Sequence, residues 1–304
     1  MNPYSGYEYE KINAGNIQNS GFEVVLDGRI LTNADKLTWN SSVNFSTNKN
    51  KIISLIEGAD MYPLGSYDNV SIRALEGGLY GDIYGTKFLR VEDADSEFNG
   101  QLILNGNGVP QAADDLHKLG NQAPKALVGW NNSFAYKSFG LSFLVDGRFG
   151  GEFFSGTNLN LQANGNAAIT APNGERAPFV VDGVVKSNGS YAKNAQQTTP
   201  QLYWAQVTST SGNYGITEQN VYDATNIRLR NVTLSYNFPK NILGSSIVQR
   251  AKVSFTANNV WMIKSYANGI DPESVFAINS NATGFENFST PTSRSFFLNL
   301  TLGF

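Results

Sequence analysis

The sequence has no cysteine and a single histidine, His117. The first absence excludes a disulfide scaffold and thiolate-held metals; the second excludes histidine-rich metal sites and leaves one residue for any histidine-based triad. Charge is scarce, with 22 Lys and Arg against 25 Asp and Glu in 304 residues and a net charge of −3. No basic stripe exists to displace counterions from phosphates, so nucleic acid is not an expected partner. A run of about eighteen apolar residues is missing as well, which excludes a transmembrane helix. Met1-Asn2-Pro3-Tyr4 is not followed by the basic and apolar stretches of an export signal. For an exported protein, the expectation is therefore a removed signal peptide or a chain that is part of a longer one.

What the sequence has in quantity is alternation. At its end, Phe296, Leu298, Leu300, Leu302 and Phe304 share one face while Ser295, Asn299, Thr301 and Gly303 fall on the other, with Phe297 out of phase. One face suits hydrocarbon and the other water, over the length that a tilted strand needs to cross a bilayer. A terminal Phe on such a strand resembles the assembly signal of outer-membrane β-barrels, and these five residues are assigned that role. The mean hydropathy of −0.27 fits, because inner-face and loop residues of a barrel cancel its lipid-facing ones.

Seven more segments repeat the pattern. Phe22, Val24, Leu26 and Ile30 alternate with polar residues, as do Leu37, Trp39, Val43 and Phe45, with Thr32-Asn33-Ala34-Asp35 as the turn between them. A less regular strand is expected between Asn69 and Leu89, bent at Gly77-Gly78 and Gly81. Val128, Trp130, Phe134 and Tyr136 mark the next, and Leu141, Phe143, Val145 and Phe149 the one after it. Ile227 and Leu229 begin a sixth whose phase changes, so that Val232, Leu234, Tyr236 and Phe238 follow; a β-bulge near Arg230-Asn231 produces that shift. Val253, Phe255 and Ala257 mark the seventh. The fold class read from this is all-β, an antiparallel transmembrane β-barrel segment of about eight strands with long extracellular loops.

Loop lengths orient it. The short connections at Lys137 to Gly140 and Lys240 to Arg250 are periplasmic, and the long ones, Val91 to Ala126, Gly151 to Thr225 and Lys264 to Ser293, are extracellular. With eight strands, the short turn of the first hairpin falls on the wrong side; reading Asn69 to Leu89 as two strands folded at Gly77-Gly78 restores the parity. Trp39, Trp130, Tyr136, Trp261 and Tyr266 are candidates for interfacial girdles.

Several stretches then carry a family likeness: Asn13 through Glu23, Trp39 through Asn50, Leu119 through Lys125, Ile227 through Pro239, Asn258-Asn259-Val260-Trp261, Gly269-Ile270-Asp271-Pro272-Glu273, and Pro291-Thr292 with the terminal strand. Together they resemble the carboxy-terminal part of SusC/RagA-type TonB-dependent outer-membrane transporters. The resemblance implies an integral protein of the Gram-negative outer membrane, with residues 1–304 forming part of a barrel of about 22 strands. It implies energised import of a glycan or oligopeptide, a SusD-like surface lipoprotein as partner, and contact with TonB through an amino-terminal part that, like the plug and signal peptide, this sequence does not display. The lipid bilayer and the remaining barrel strands are further partners. The alternative is a transporter-derived barrel serving as a structural scaffold for outer-membrane lipoproteins. Neither reading makes the chain an enzyme.

Chemistry-bearing clusters are few. Glu92, Asp93, Asp95, Glu97 and Asn99 suggest a calcium loop, but Phe98 replaces the sharp-turn Gly and Leu104 the bidentate Glu. A solvated acidic loop is the expectation, with no cofactor and no metal. Asp271-Pro272-Glu273 reads as a structural turn, Asn105-Gly106-Asn107-Gly108 as a turn without phosphate-binding pattern, and His117 as a loop residue. Tyr191, Tyr203, Trp204, Tyr214 and Tyr222 lie in one long loop, where they either meet substrate or partner or pack the loop on itself.

Overall fold

Alternating side chains on consecutive hairpins leave one sheet face apolar and one polar, and the computed structural model has this sheet. It describes residues 6, 15–33, 36–209, 213–244, 247–267, 269–276 and 280–304; Asn13, Ala14 and the turn residues Ala34 and Asp35 lie outside these. Seven strands form an antiparallel meander in chain order: β1 (Gly15–Thr32), β2 (Leu37–Leu55), β3 (Ala126–Tyr136), β4 (Phe139–Phe149), β5 (Asn226–Phe238), β6 (Arg250–Ser265) and β7 (Ser295–Gly303). This is the wall; β1 and β7 are its edges.

Cross-strand register fixes the faces. Val24 opposes Phe45, Val43 opposes Trp130, Leu234 opposes Leu141 and Phe255, and Phe255 opposes Leu298, so one apolar face runs the width of the sheet. Most of its side chains are exposed, Leu298 to 76%. The other face carries Ser42, Asn44, Ser133, Ser142, Thr233 and Thr256, with the last two hydroxyls 2.9 Å apart. The bulge is where the phase change places it: pairing of β5 with both neighbours skips Arg230, between Leu229 and Asn231.

The segment Asn69 to Leu89 is not a wall strand. It folds back at Gly77-Gly78 into Val70–Leu75 and Tyr80–Phe88, the middle pair of a separate four-stranded sheet with Met61–Tyr67 and Ala112–Asn121. The reason is burial: Val70, Ile72 and Ile83 are fully covered by Phe154, Leu159, Ala282 and Phe285, so their apolar face is spent inside protein. The wall thus has seven described strands, and the parity is restored with neither half of the segment in it. The short connections, 33–36, 137–138 and 239–249, all lie at one end; the long ones, 56–125, 150–225 and 266–294, lie at the other.

Those long connections pack into an outer lobe. Besides its main sheet it has small sheets built on Glu152–Ser155, Val184–Ser187 and Phe179–Val180, and two helices, α1 (Gly156–Ala163) and α2 (Pro200–Thr208). Ser155 caps α1 by accepting from the Asn158 amide at 3.1 Å, and Thr199 caps α2, with Pro200 opening its first turn. A second cluster, Phe88, Trp204, Val207 and Ile216, and a third, Val91, Ile103 and Val184, complete the lobe's core. Among the described buried apolar residues, Ile52 alone belongs to a wall strand, and it sits where β2 meets the lobe through Gly77 and Gly78.

Candidate functional site

The inner face ends, at the lobe, in a cluster of charges. Arg228 and Arg230 project from β5, on the same side because they are two apart, and the bulge keeps Arg230 on that face beside Asn231. Arg228 is 4% exposed. Its guanidinium donates from Nε to Asn226 at 2.9 Å, pairs with Asp271 through Nη2, and lies 3.6 Å from Glu273. Arg230 grips two carboxylates: Asp146 of β4 at 2.6 Å, and Glu273 through two bonds of 2.8 and 3.0 Å. Bidentate guanidinium–carboxylate pairing is strong and directional.

Asp271 is the keystone of the last long connection. One oxygen accepts the Glu273 amide at 3.0 Å; the other accepts the Thr292 amide at 2.9 Å and its hydroxyl at 2.6 Å. Burial pushes its acidity down, but the bonds from Arg228, Thr292 and the two amides outweigh this and hold its carboxyl well below the usual range. The Asp271-Pro272-Glu273 turn is therefore a structural turn, and also a two-toothed key in the wall. The same connection has a second anchor: Glu286, 2% exposed, accepts from Ser155 and Thr157 at 2.6 Å each at the start of α1. Residues 266–294 are a strap tied to the wall at one end and to the lobe at the other.

The five loop aromatics do not converge on one another as a cradle. Trp204 is buried in the second core cluster, with Tyr203 at 5.1 Å and Phe179 at 5.6 Å from Tyr203. Tyr214 donates to Tyr67 at 3.2 Å and packs on Phe154; burial first, then that bond, pushes its phenol up to about 12. Tyr222 donates to Asn220 at 3.1 Å and leans on Phe153. Tyr191 packs against the third cluster under Lys186. All five make packing or hydrogen-bond contacts within the lobe.

The terminal-strand residues Phe296, Leu298, Leu300, Leu302 and Phe304 are exposed on the apolar face. Girdle aromatics gather at both ends of that face. Phe139 and Tyr236 stand 4.9 Å apart at the short-turn end, where Lys137 covers Tyr136; Trp261 lies toward the lobe end, and Tyr266 follows it with its ring under Lys264. Trp130 opposes Val43, on the cross-strand row that runs through Val145 and Leu229 to Trp261, and donates to Ser41 at 2.9 Å, while Trp39 donates to the buried Asn132 at 3.0 Å.

Among the described residues, no three His, Asp or Glu side chains gather as metal ligands. Asp93 instead accepts the Asp95 amide at 3.1 Å, a local turn. Asn105 closes its own turn through Asn107 and Gly108. His117 is on the strand Ala112–Asn121 opposite Gly85 rather than in a loop.

No family model matches the chain. Over 99% of its length it is 28% identical to TonB-dependent receptor P3 of Formosa agariphila, and 27% identical to TonB-dependent receptor P26 of the same organism. It spans about 30% of the length of each. Among solved structures, the RagAB peptide transporter superposes with a TM-score of 0.63 at 15% identity, over 99% of this chain and 31% of that one. The RagAB peptide importer in its open-open state gives 0.64 at 17% identity, over 100% of this chain and 30% of that one. By sequence along its length and by fold, the chain is like the carboxy-terminal barrel portion of SusC/RagA-type TonB-dependent receptors, integral β-barrel proteins of the outer membrane.

Proposed function

We propose that this chain forms wall and outer loops of an energised outer-membrane importer of oligopeptides or glycans. The observation that carries this is the division of the wall: apolar outside, polar inside, with every long connection gathered at one end into a lobe keyed to the inner face. A sheet edge in hydrocarbon leaves backbone groups unpaired at several kcal/mol each, so β1 and β7 take further barrel strands as neighbours. Residues 1–304 are then one portion of a larger barrel. TonB supplies the energy through a part of the importer outside this wall, and a SusD-like surface lipoprotein closes the mouth above the lobe. The similarity to receptors and to a peptide importer supports this reading and gives no ground for an enzyme.

The test is uptake of labelled oligopeptide and oligosaccharide mixtures by cells with the gene intact, deleted, or intact in a TonB-deficient background. Loss of uptake of one substrate class in both deficient strains is expected. Unchanged uptake with a fall in the level of a neighbouring surface lipoprotein overturns import in favour of the scaffold. Phe304 and its row serve as the assembly signal in this reading: Phe304→Ser lowers the folded protein in the outer membrane, and a normal level would count against that role.

A further inference from the structure

Above its apolar belt, the bilayer-facing row of the first hairpin changes character. Reading along cross-strand pairs, Leu31 with Trp39, Leu26 with Val43 and Val24 with Phe45 are followed by Phe22 with Thr47, Ser20 with Lys49 and Gln18 with Lys51. From Leu31 to Phe22 the belt rises about 23 Å, taking about 3.3 Å per residue and a tilt of about 40°. That matches the apolar height of an outer-membrane barrel, so Lys49 and Lys51 emerge on the bilayer-facing side just past the hydrocarbon. They do so at the lobe end, in the outer leaflet.

Beside Lys49 the wall opens. β2 continues to Leu55 whereas β3 begins only at Ala126, and between them lies a cavity of about 620 Å³. Phe22, Thr47 and Lys49 line it from the hairpin, and Leu79, Pro124 and Lys125 from the lobe's base. Lys49, Lys51 and Lys125 are exposed, and among the described residues none is within ion-pair distance of a carboxylate. The one acid in the lining, Glu152, accepts the Asn121 amide at 2.7 Å. In a chain of net charge −3, this is a local excess of cations above an exposed Phe at an interface.

We propose that this cavity seats the phosphate-bearing headgroup of an outer-leaflet lipid. The ammonium groups of Lys49 and Lys125 take the phosphate, Lys51 adds to the field, and an acyl chain follows Phe22 down the belt. Lysine meets phosphate as a point charge on a flexible stem that lies along apolar surface, which suits a headgroup at this depth. The site stands on the outer-membrane location alone and is independent of import.

The test uses the full protein extracted in mild non-ionic detergent and native mass spectrometry with added bis-phosphorylated lipid A as probe. Saturable binding of one lipid is expected, weakened at least about tenfold in K49Q/K125Q, in line with about 1 kcal/mol per lysine near a charged surface. Lys137→Gln, at the opposite end of the wall, leaves it unchanged. Enzymatically dephosphorylated lipid A binds as weakly as the double variant sees the intact lipid, and millimolar inorganic phosphate does not displace the bound lipid. Equal binding by the double variant, shown folded by its heat-modifiable gel shift, overturns the proposal. So does equal binding of the dephosphorylated lipid. Displacement by inorganic phosphate assigns a free-anion site instead and overturns the lipid.

Discussion

Leu298 on β7 is 76% exposed, and Leu159 on α1 is 1% exposed. The same residue type does opposite work in the two regions. In the wall, apolar side chains are turned outward and strand-to-strand hydrogen bonding holds the sheet, so the solvent for those side chains is lipid. In the lobe, Phe154, Leu159 and Ile72 are packed inward as in a water-soluble domain. The difference teaches that the molecule has two kinds of stability, and one place where they join is where the strap's carboxylates meet the arginines of β5.

That junction is where the largest effect is expected. Arg228→Ala leaves Asp271 buried without its cation, and removing one partner of a buried pair costs about 3–5 kcal/mol. The strap should then be cut by protease within 266–294 while the wall keeps its heat-modifiable gel shift. An uncut strap would mean that the Arg230–Glu273 pair and Glu286 suffice to hold it.

A second pair of substitutions separates the regions themselves. Leu159→Ala empties a packed site and should cost the lobe about 2–5 kcal/mol in thermal unfolding, whereas Leu300→Ala on the lipid face leaves no enclosed cavity and should cost far less. Equal losses would dissolve the contrast. Leu234→Arg, which puts a cation on the lipid face in mid-wall, should cost about 2–4 kcal/mol and lower assembly. The same change at Ser235, on the polar face, should be tolerated.

The wall was legible because alternation with period two is a signal that each strand carries by itself, and even the bulge at Arg230 was visible as a phase slip. The lobe was not. Its strands of two to ten residues and its two short helices are held by contacts such as Phe154 to Phe285, 131 positions apart, and such distant pairing leaves no local period. Asn69 to Leu89 resembles a wall strand in sequence because Val70, Ile72 and Ile83 look the same to lipid and to a protein core. The aromatic loop residues were legible as either binding or packing groups, and which rings they pack against, such as Phe154 under Tyr214, left no local signal. The arginine–carboxylate cluster had a partial signal, since Arg228 and Arg230 share the inner face in the strand pattern. Their partners, 43 and 84 residues away, did not announce themselves.

The smallest expected effect is the most specific to the junction. Asp271 has its carboxyl held below the usual range in the folded protein, whereas in an unfolded strap it titrates at about 4. A group with depressed folded pKa contributes stability that is fully present above the unfolded value and is lost as pH falls below it. The strap should therefore stay fixed from neutrality down to about pH 4 and loosen progressively at lower pH. Asp271→Asn should start with a looser strap at neutral pH and show a flatter acid limb, measured as protease cutting of 266–294 against pH. An acid limb as steep as that of the parent would clear Asp271 of the pH dependence and make Arg230, not Arg228, the stronger tie between wall and lobe.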